Sequence, residues 1–331
     1  MNKLTVCPAT LQSGFDTYSP LAVKKMFDGQ TVSHIIDFDF EDEQDVEIAQ
    51  ENLGKMSISG AQEKFSAVVD QGQLRLARPG EQSTFILKPA PLNYISTRKQ
   101  IPANEHLTMQ IASQVYGIHV AANGLCSTPN GHPVYITRRF DISPNGLKYP
   151  MEDMATLIGK SEADGGKTFK YNGSYADIAS CIRRYIPAWM TEMERFFELV
   201  VFNYIYANGD AHLKNFSVIM DGEDYYLTPA YDLLNTALHV RDEDFALDGG
   251  LSPNIPRSEN YLNTGHPCRQ DFEWFGKEIF LVESRIKKIL DKYMSVPDAT
   301  RQLVSQSQLT EKLKRSYIRI VTERGSRFAR N

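Results

Sequence analysis

The chain has 331 residues, a formal net charge of −5, 42% hydrophobic residues and 23% charged residues. That balance is ordinary for a globular protein of one large domain or two lobes, and the negative charge argues against a dedicated nucleic-acid binder. No apolar run reaches the ~18 residues needed to span a bilayer, and MNKLTVCPATLQSG lacks the apolar core of a signal peptide, so a cytoplasmic protein is expected.

Residues 1 to about 55 show little periodicity and read as irregular structure draped on the body. They include seven acids between Asp37 and Glu47. Then KFSAVVD, QLRLARP and TFILKPA read as a meander of antiparallel strands, separated by QGQ and PGEQS. PANEHLTMQIASQVYG has Pro102 near its start and Gly117 at its end, the signals of a helix. IHVAANGLCS and HPVYITRRFD read as two more strands joined by a Pro-Asn-Gly turn.

After residue 150 the texture changes. YADIASCIRRYI and PAWMTEMERFFELVVFNYIYA are helical, and FSVIMDGEDYYLTPA is a hairpin turning at Asp221-Gly222. DFEWFGKEIFLVESRIKKILDKYM and SQLTEKLKRSYIRIVTER are amphipathic and helical. From Arg301 onward eight Lys/Arg face two Glu, a solvated face or a partner surface. Cys7, Cys126, Cys181 and Cys268 are scattered with no CxxC pair, which suits free structural thiols rather than zinc or a disulfide framework.

The chemistry gathers in NYIYANGDAHLKNFSVIM. Asp210 and Asn215 lie on the loop between a buried helix and the hairpin, and Asp232 follows the second hairpin strand. A hairpin returns the chain to where it began, so Asp232 is expected near Asn215 and Asp210. Oxygens from Asn215 and Asp232 suit Mg2+, and Asp210 is placed to orient or deprotonate a hydroxyl. Asp-x4-Asn followed by a second Asp is the layout of a protein-kinase catalytic loop, although Asn-Gly-Asp is also a common turn. Further residues complete the kinase order. Lys88 ends the strand TFILK, and Glu105 stands near the start of the next helix. Each alone reads as a surface or helix-end charge. No GxGxxG loop is present. In its place SISGAQEKFSAVV offers Ser57, Ser59 and Gln62 to phosphate, with Gly60 permitting close backbone approach.

SISGAQEKFS, FILKPA, NEHLTMQIASQVYGI, TRRFD, MEDM, DGG, NGDAHLKNFSV and LTPAYDLLNT come in the order seen in HipA-type toxin serine/threonine kinases. The chain resembles that family motif by motif from about Lys55 to Asn235. It is most similar to the short HipT type of three-gene HipBST systems, because only about 55 residues precede the SISGAQEK loop. The resemblance implies an α+β, two-lobed protein-kinase-like fold. Its β-rich N-terminal lobe would span 1–140, with a phosphate-cradling loop at 57–65. An all-helical C-terminal lobe with a catalytic hairpin would span 141–331, with a catalytic loop at 208–215.

Residue by residue, the resemblance makes Asp210 catalytic and Asn215 and Asp232 the Mg2+ ligands. It assigns ATP contacts to Ser59, Gly60, Lys88, Glu105, Arg138, Phe140, Asp141, His212 and Asp232. Phe140 falls in the hinge that meets adenine and Asp141 near the ribose, while Arg138 stands where HipA has a glutamate. Ser57, and Ser59 beside it, fall at the autophosphorylated position. Relatives phosphorylate aminoacyl-tRNA synthetases; the HipT type is associated with the tryptophanyl enzyme. The implied partners are a small HipS-like antitoxin resembling the missing N-terminal subdomain and a HipB-like helix-turn-helix antitoxin. DNA is met only through the antitoxin, and no membrane is involved. An inert antitoxin-binding scaffold and a small-molecule kinase are the alternatives.

Overall fold

A computed structural model describes residues 4–40, 63–91, 96–143 and 145–329. In chain order the elements of the β-rich part are α1 (Pro20–Phe27), β1 (Phe65–Asp70), β2 (Gln73–Leu76), β3 (Phe85–Lys88), α2 (Ile101–Gln114), β4 (Asn123–Ser127) and β5 (Pro133–Arg138). The helical part holds β6 (Met151–Asp153), α3 (Met154–Ile158), α4 (Glu162–Gly165), α5 (Tyr175–Tyr185), α6 (Trp189–Ile205), β7 (Ser217–Asp221) and β8 (Asp224–Leu227). It ends in α7 (Glu259–Thr264), α8 (Arg269–Glu278), α9 (Glu283–Asp291), α10 (Asp298–Gln306) and α11 (Glu311–Ala329).

The first five strands form an antiparallel sheet in the order β2-β1-β3-β5-β4. The expected meander is therefore corrected: β3 pairs with β1, not β2. The reason lies in the turn. Gln71 and Gly72 both have positive φ, which closes β1 onto β2 as a two-residue hairpin and uses one edge of β1. The chain then returns along the free edge.

Strand alternation divides the sheet's faces. Phe65, Ala67, Phe85, Leu87, Val134 and Ile136 share one core with Tyr18, Met26, Phe27, Ile36 and Phe40. Residues 4–40 are thus not merely draped irregular structure, as the sequence suggested. They hold α1, whose N-cap Ser19 Oγ accepts from Ala22 N and whose first residue is Pro20, and they supply much of this core. Their apolar side chains are spread singly over loops, which leaves no period to read.

The opposite face carries Lys88 and its register partner Tyr135. It packs on α2, which is buried on every side from Pro102 to Ala112. A second, larger core runs from Leu107, Leu125 and Tyr135 through α6 (Phe196, Val200, Phe202) to Phe272, Tyr317 and Phe328. The C-terminal part is not helices plus a hairpin alone. β6 pairs with β7, making a three-stranded sheet β6-β7-β8. All four cysteines are free and buried. Among the described residues no helix is long and apolar enough to cross a membrane.

Candidate active site

The α6 helix ends at Ile205, and Ala207 turns the chain in a left-handed conformation. The loop that follows is braced from behind. Asn208 Nδ2 donates to Asn203 Oδ1 (2.9 Å) and to the Asp232 carbonyl (3.2 Å), and Gly209 N donates to Thr236 Oγ1 (2.9 Å). Only glycine fits at 209: a Cβ there would lie 2.4 Å from Asp242 Cγ and 2.8 Å from the Glu243 carbonyl oxygen. This places Asp210 exposed at the rim, with Oδ1 accepting from the Tyr171 hydroxyl at 2.8 Å.

The hairpin β7–β8 does bring its two ends together. Asn215 Nδ2 donates to Asp232 Oδ2 at 3.4 Å, and Asn215 Oδ1 accepts from His212 N at 3.0 Å. Asp232 itself adopts φ +56°, costly for a residue with a Cβ and held here by neighbours on both sides. Upstream, Ala230 pairs with the loop after α2, donating to His119 O and accepting from Ala121 N. That pairing lays Asp232 against the sheet.

There it meets Lys88. The Lys88 ammonium, 3% exposed, donates to Glu105 Oε1 at 2.6 Å and to Asp232 Oδ1, and sits 5.2 Å from the Tyr135 ring centre. Burial alone would lower the Lys88 pKa, but Asp232 and Glu105 outweigh it and raise it. Burial alone would raise the Asp232 carboxyl; Lys88 and then Lys64 outweigh it and hold the carboxyl well below the usual range. For Glu105 burial wins, and its carboxyl is raised in spite of Lys88. The result is a carboxylate kept ionised beside two ammonium groups.

Of the other expected residues, His212 is 7% exposed with Nδ1 buried and without a partner among the described residues, and burial drives its pKa down to about 4. Phe140 leans on Tyr231, ring centres 5.6 Å apart, next to Asp232. Asp141 is buried and held by Arg139 (2.9 and 2.5 Å). The Arg138 guanidinium turns the other way and pairs through both its terminal nitrogens with Asp28, the residue that caps the C-terminus of α1, 2.6 Å each. Ser57, Ser59 and Gly60 lie outside the described residues.

Three contributors escaped the sequence reading. Lys64 Nζ donates to Asp232 Oδ2 at 3.1 Å; its place at the end of SGAQEK was the available signal. Tyr171 gave no signal. Asn104 ties α2 to the segment after Asp232, with Nδ2 donating to Asn235 O (2.8 Å) and Oδ1 accepting from Asn235 N (3.3 Å). Glu105, its neighbour, is thereby fixed relative to Asp232.

Asp232 offers an ionised carboxylate, the hard oxygen donor a divalent cation takes, flanked by Lys88 and Lys64. The Asn215 carboxamide beside it faces that carboxylate through Nδ2 and has Oδ1 accepting from His212 N, so it would serve as a ligand only with its oxygen turned toward the cation. The Nδ1 of His212 is a buried polar atom without a hydrogen-bond partner among the described residues.

Residues 56–300 match the family described as the HipA-like C-terminal domain. The chain is 32% identical over 256 residues to "Putative kinase Y4mE" of Sinorhizobium fredii, covering 73% of this chain and 56% of that protein. It is 27% identical over 268 residues to a "Putative kinase" of Haemophilus influenzae, covering 76% of each. Among solved structures it resembles the HipA toxin of Shewanella oneidensis, determined with HipB and operator DNA. The TM-score is 0.64 at 20% identity, over 83% of this chain and 65% of that one. The chain thus spans little more than half the length of the first of these relatives.

Proposed function

The chain belongs to the HipA-like C-terminal domain family, and from that premise we propose that it is an ATP- and Mg2+-dependent serine/threonine protein kinase acting as the toxin of a toxin–antitoxin system. The observation that carries this reading is the buried bridge from Glu105 through Lys88 to Asp232, with Asn215 in contact with Asp232. A structural ion pair needs one acid. A lysine placed between two, at the mouth of a loop bearing a further exposed carboxylate, suits phosphate chemistry.

In this reading residues 1–140 and 141–331 act as two lobes that close on ATP. Lys88, oriented by Glu105, and Lys64 contact phosphate oxygens. Phe140 and Asp141 border the adenine and ribose, and His212 Nδ1 accepts from or donates to the nucleotide. Asn215 and Asp232 hold Mg2+, which when bound neutralises charge on the phosphates. Asp210 takes the proton of the acceptor hydroxyl. The hydroxyl oxygen bonds to the γ-phosphorus, the bond to the bridging oxygen breaks, and ADP leaves with that electron pair. The buried polar ties of Asn104, Asn208 and Thr236 keep these groups in register.

The acceptors are a serine of an aminoacyl-tRNA synthetase, the tryptophanyl enzyme by likeness to the HipT type, and the chain's own Ser57 and Ser59. Phosphate on that loop adds about −1.5 to −2 charge per serine beside ATP's own phosphates and disfavours ATP binding. The partners are a HipB-like DNA-binding antitoxin, as in the solved Shewanella complex, and a small HipS-like protein, with the complex residing in the cytoplasm. The test is incubation with ATP, Mg2+ and cell extract followed by phosphosite mapping, beside Asp210→Asn. The variant is expected to fold, to transfer no phosphate to Ser57, Ser59 or extract proteins, and to lose toxicity. Growth arrest by Asp210→Asn at equal expression would refute the assignment.

A further inference from the structure

The stretch between α4 and α5 has no counterpart in the chemistry assigned so far, yet it ends against Asp210. Residues Gly166–Tyr171 form a short 3-10 turn. Its exit is pinned: the Tyr171 carbonyl accepts from Asp248 N at 3.0 Å, and the Gly173 carbonyl from Gly249 N at 2.8 Å. Residue 249 must be glycine for this approach, since a Cβ would lie 2.8 Å from the Gly173 oxygen. Ser174 then caps α5 through a reciprocal capping box with Asp177.

The Tyr171 ring is held as well. It stands edge-on to His212, ring centres 5.3 Å apart at 79°, and Lys170 Nζ lies 5.0 Å from its ring centre. Its hydroxyl donates to Asp210 Oδ1 at 2.8 Å. Burial and then the Asp210 charge push the Tyr171 pKa up, so the hydroxyl keeps its proton and remains a donor at any working pH. The Tyr171 bond engages Oδ1 and leaves Oδ2 as the second oxygen of an exposed carboxylate.

An exposed aspartate on a loop samples several rotamers, and a proton acceptor must point one oxygen at the incoming hydroxyl. We propose that Tyr171 is a positioning residue for phosphoryl transfer: it holds Oδ1 of Asp210 so that Oδ2 faces the acceptor hydroxyl. The inference rests on the kinase reading.

The experiment follows self-phosphorylation of the full chain with radiolabelled ATP and Mg2+, for wild type, Tyr171→Phe and Asp210→Asn. Phenylalanine keeps the ring against His212 and removes only the donor. Tyr171→Phe is expected to lower the limiting rate about 10- to 100-fold, the loss that follows from deleting a hydrogen bond to a charged group. The ATP concentration at half-maximal rate should stay within about twofold, because the hydroxyl touches Asp210 and not the phosphate-binding lysines. An unchanged limiting rate with an inactive Asp210→Asn overturns the role of Tyr171 alone. A loss matched by an equal rise in half-saturating ATP overturns it too, as does phosphate found on Tyr171 itself. An Asp210→Asn variant as active as wild type overturns the kinase reading, and the role of Tyr171 falls with it.

Discussion

Replacing Lys88 by methionine separates the two ion pairs on Asp232 by their cost. The Lys88 and Glu105 side chains are 4% and 3% exposed, so removing the ammonium leaves the Glu105 carboxyl buried without a cation. Breaking a buried pair in this way costs about 3–5 kcal/mol. The Lys64 side chain is 52% exposed, and its bridge to Asp232 is worth no more than about 1 kcal/mol. Lys88→Met should therefore destabilise the fold several times more than Lys64→Met. The loss has a pH signature. Without Lys88, burial raises the folded-state pKa of Glu105 further above its unfolded value, so stability is present at low pH and falls as pH rises through the folded value. Urea denaturation at pH 5 and pH 8 reads both effects. Adding Glu105→Leu should recover at least about 1 kcal/mol at pH 8, since it removes the stranded charge. Equal losses for Lys88→Met and Lys64→Met, or no recovery in the double variant, would refute the account of a buried bridge.

Gly209→Ala should disable transfer more than it destabilises the fold. The Asp242 side chain can swing away from the new Cβ, but the Glu243 carbonyl cannot, so Asp210 shifts; a displacement near 1 Å costs on the order of 100-fold in rate. The limiting rate of self-phosphorylation beside the melting temperature checks this. His106, 1% exposed with Nε2 donating to the Ala9 carbonyl at 3.0 Å, has its pKa driven down by burial to about 4, from 6.5. The unfolded chain takes up that proton first, so stability is full above about pH 6.5 and declines as pH falls toward 4. His106→Gln should flatten the loss between pH 7 and 4.5 by about 2–3 kcal/mol in denaturant titrations, and an unchanged slope would show that another group carries it.

What could be read in the sequence was local. Lys88 was findable because β3 is a short apolar run that stops at a lysine, and the meeting of Asn215 with Asp232 because a hairpin must return to its origin. The pairing of β1 with both neighbours was not, because strand patterns give faces and leave the choice of edge to turn geometry at Gln71-Gly72. Three-residue β6 has no alternation to detect, since Met151 and Glu152 are exposed and it exists only as an edge for β7. Helix α1 had a serine cap and a proline start, but eight residues are too few for a convincing period. The remaining gaps are contacts across long stretches of chain. Lys64 meets Asp232 across 168 residues and Tyr171 meets Asp210 across 39, and each is a common residue type with an ordinary surface role available to it. Asn104 is the sharpest case. It sits beside Glu105 in NEHL, where only the acid looks functional. Yet its carboxamide, wholly buried, matches both the carbonyl and the N–H of Asn235, so it fixes the distance from α2 to Asp232 more directly than Glu105 does. A charge shows in a sequence by its type alone, whereas a buried amide gains its meaning only from the backbone it faces.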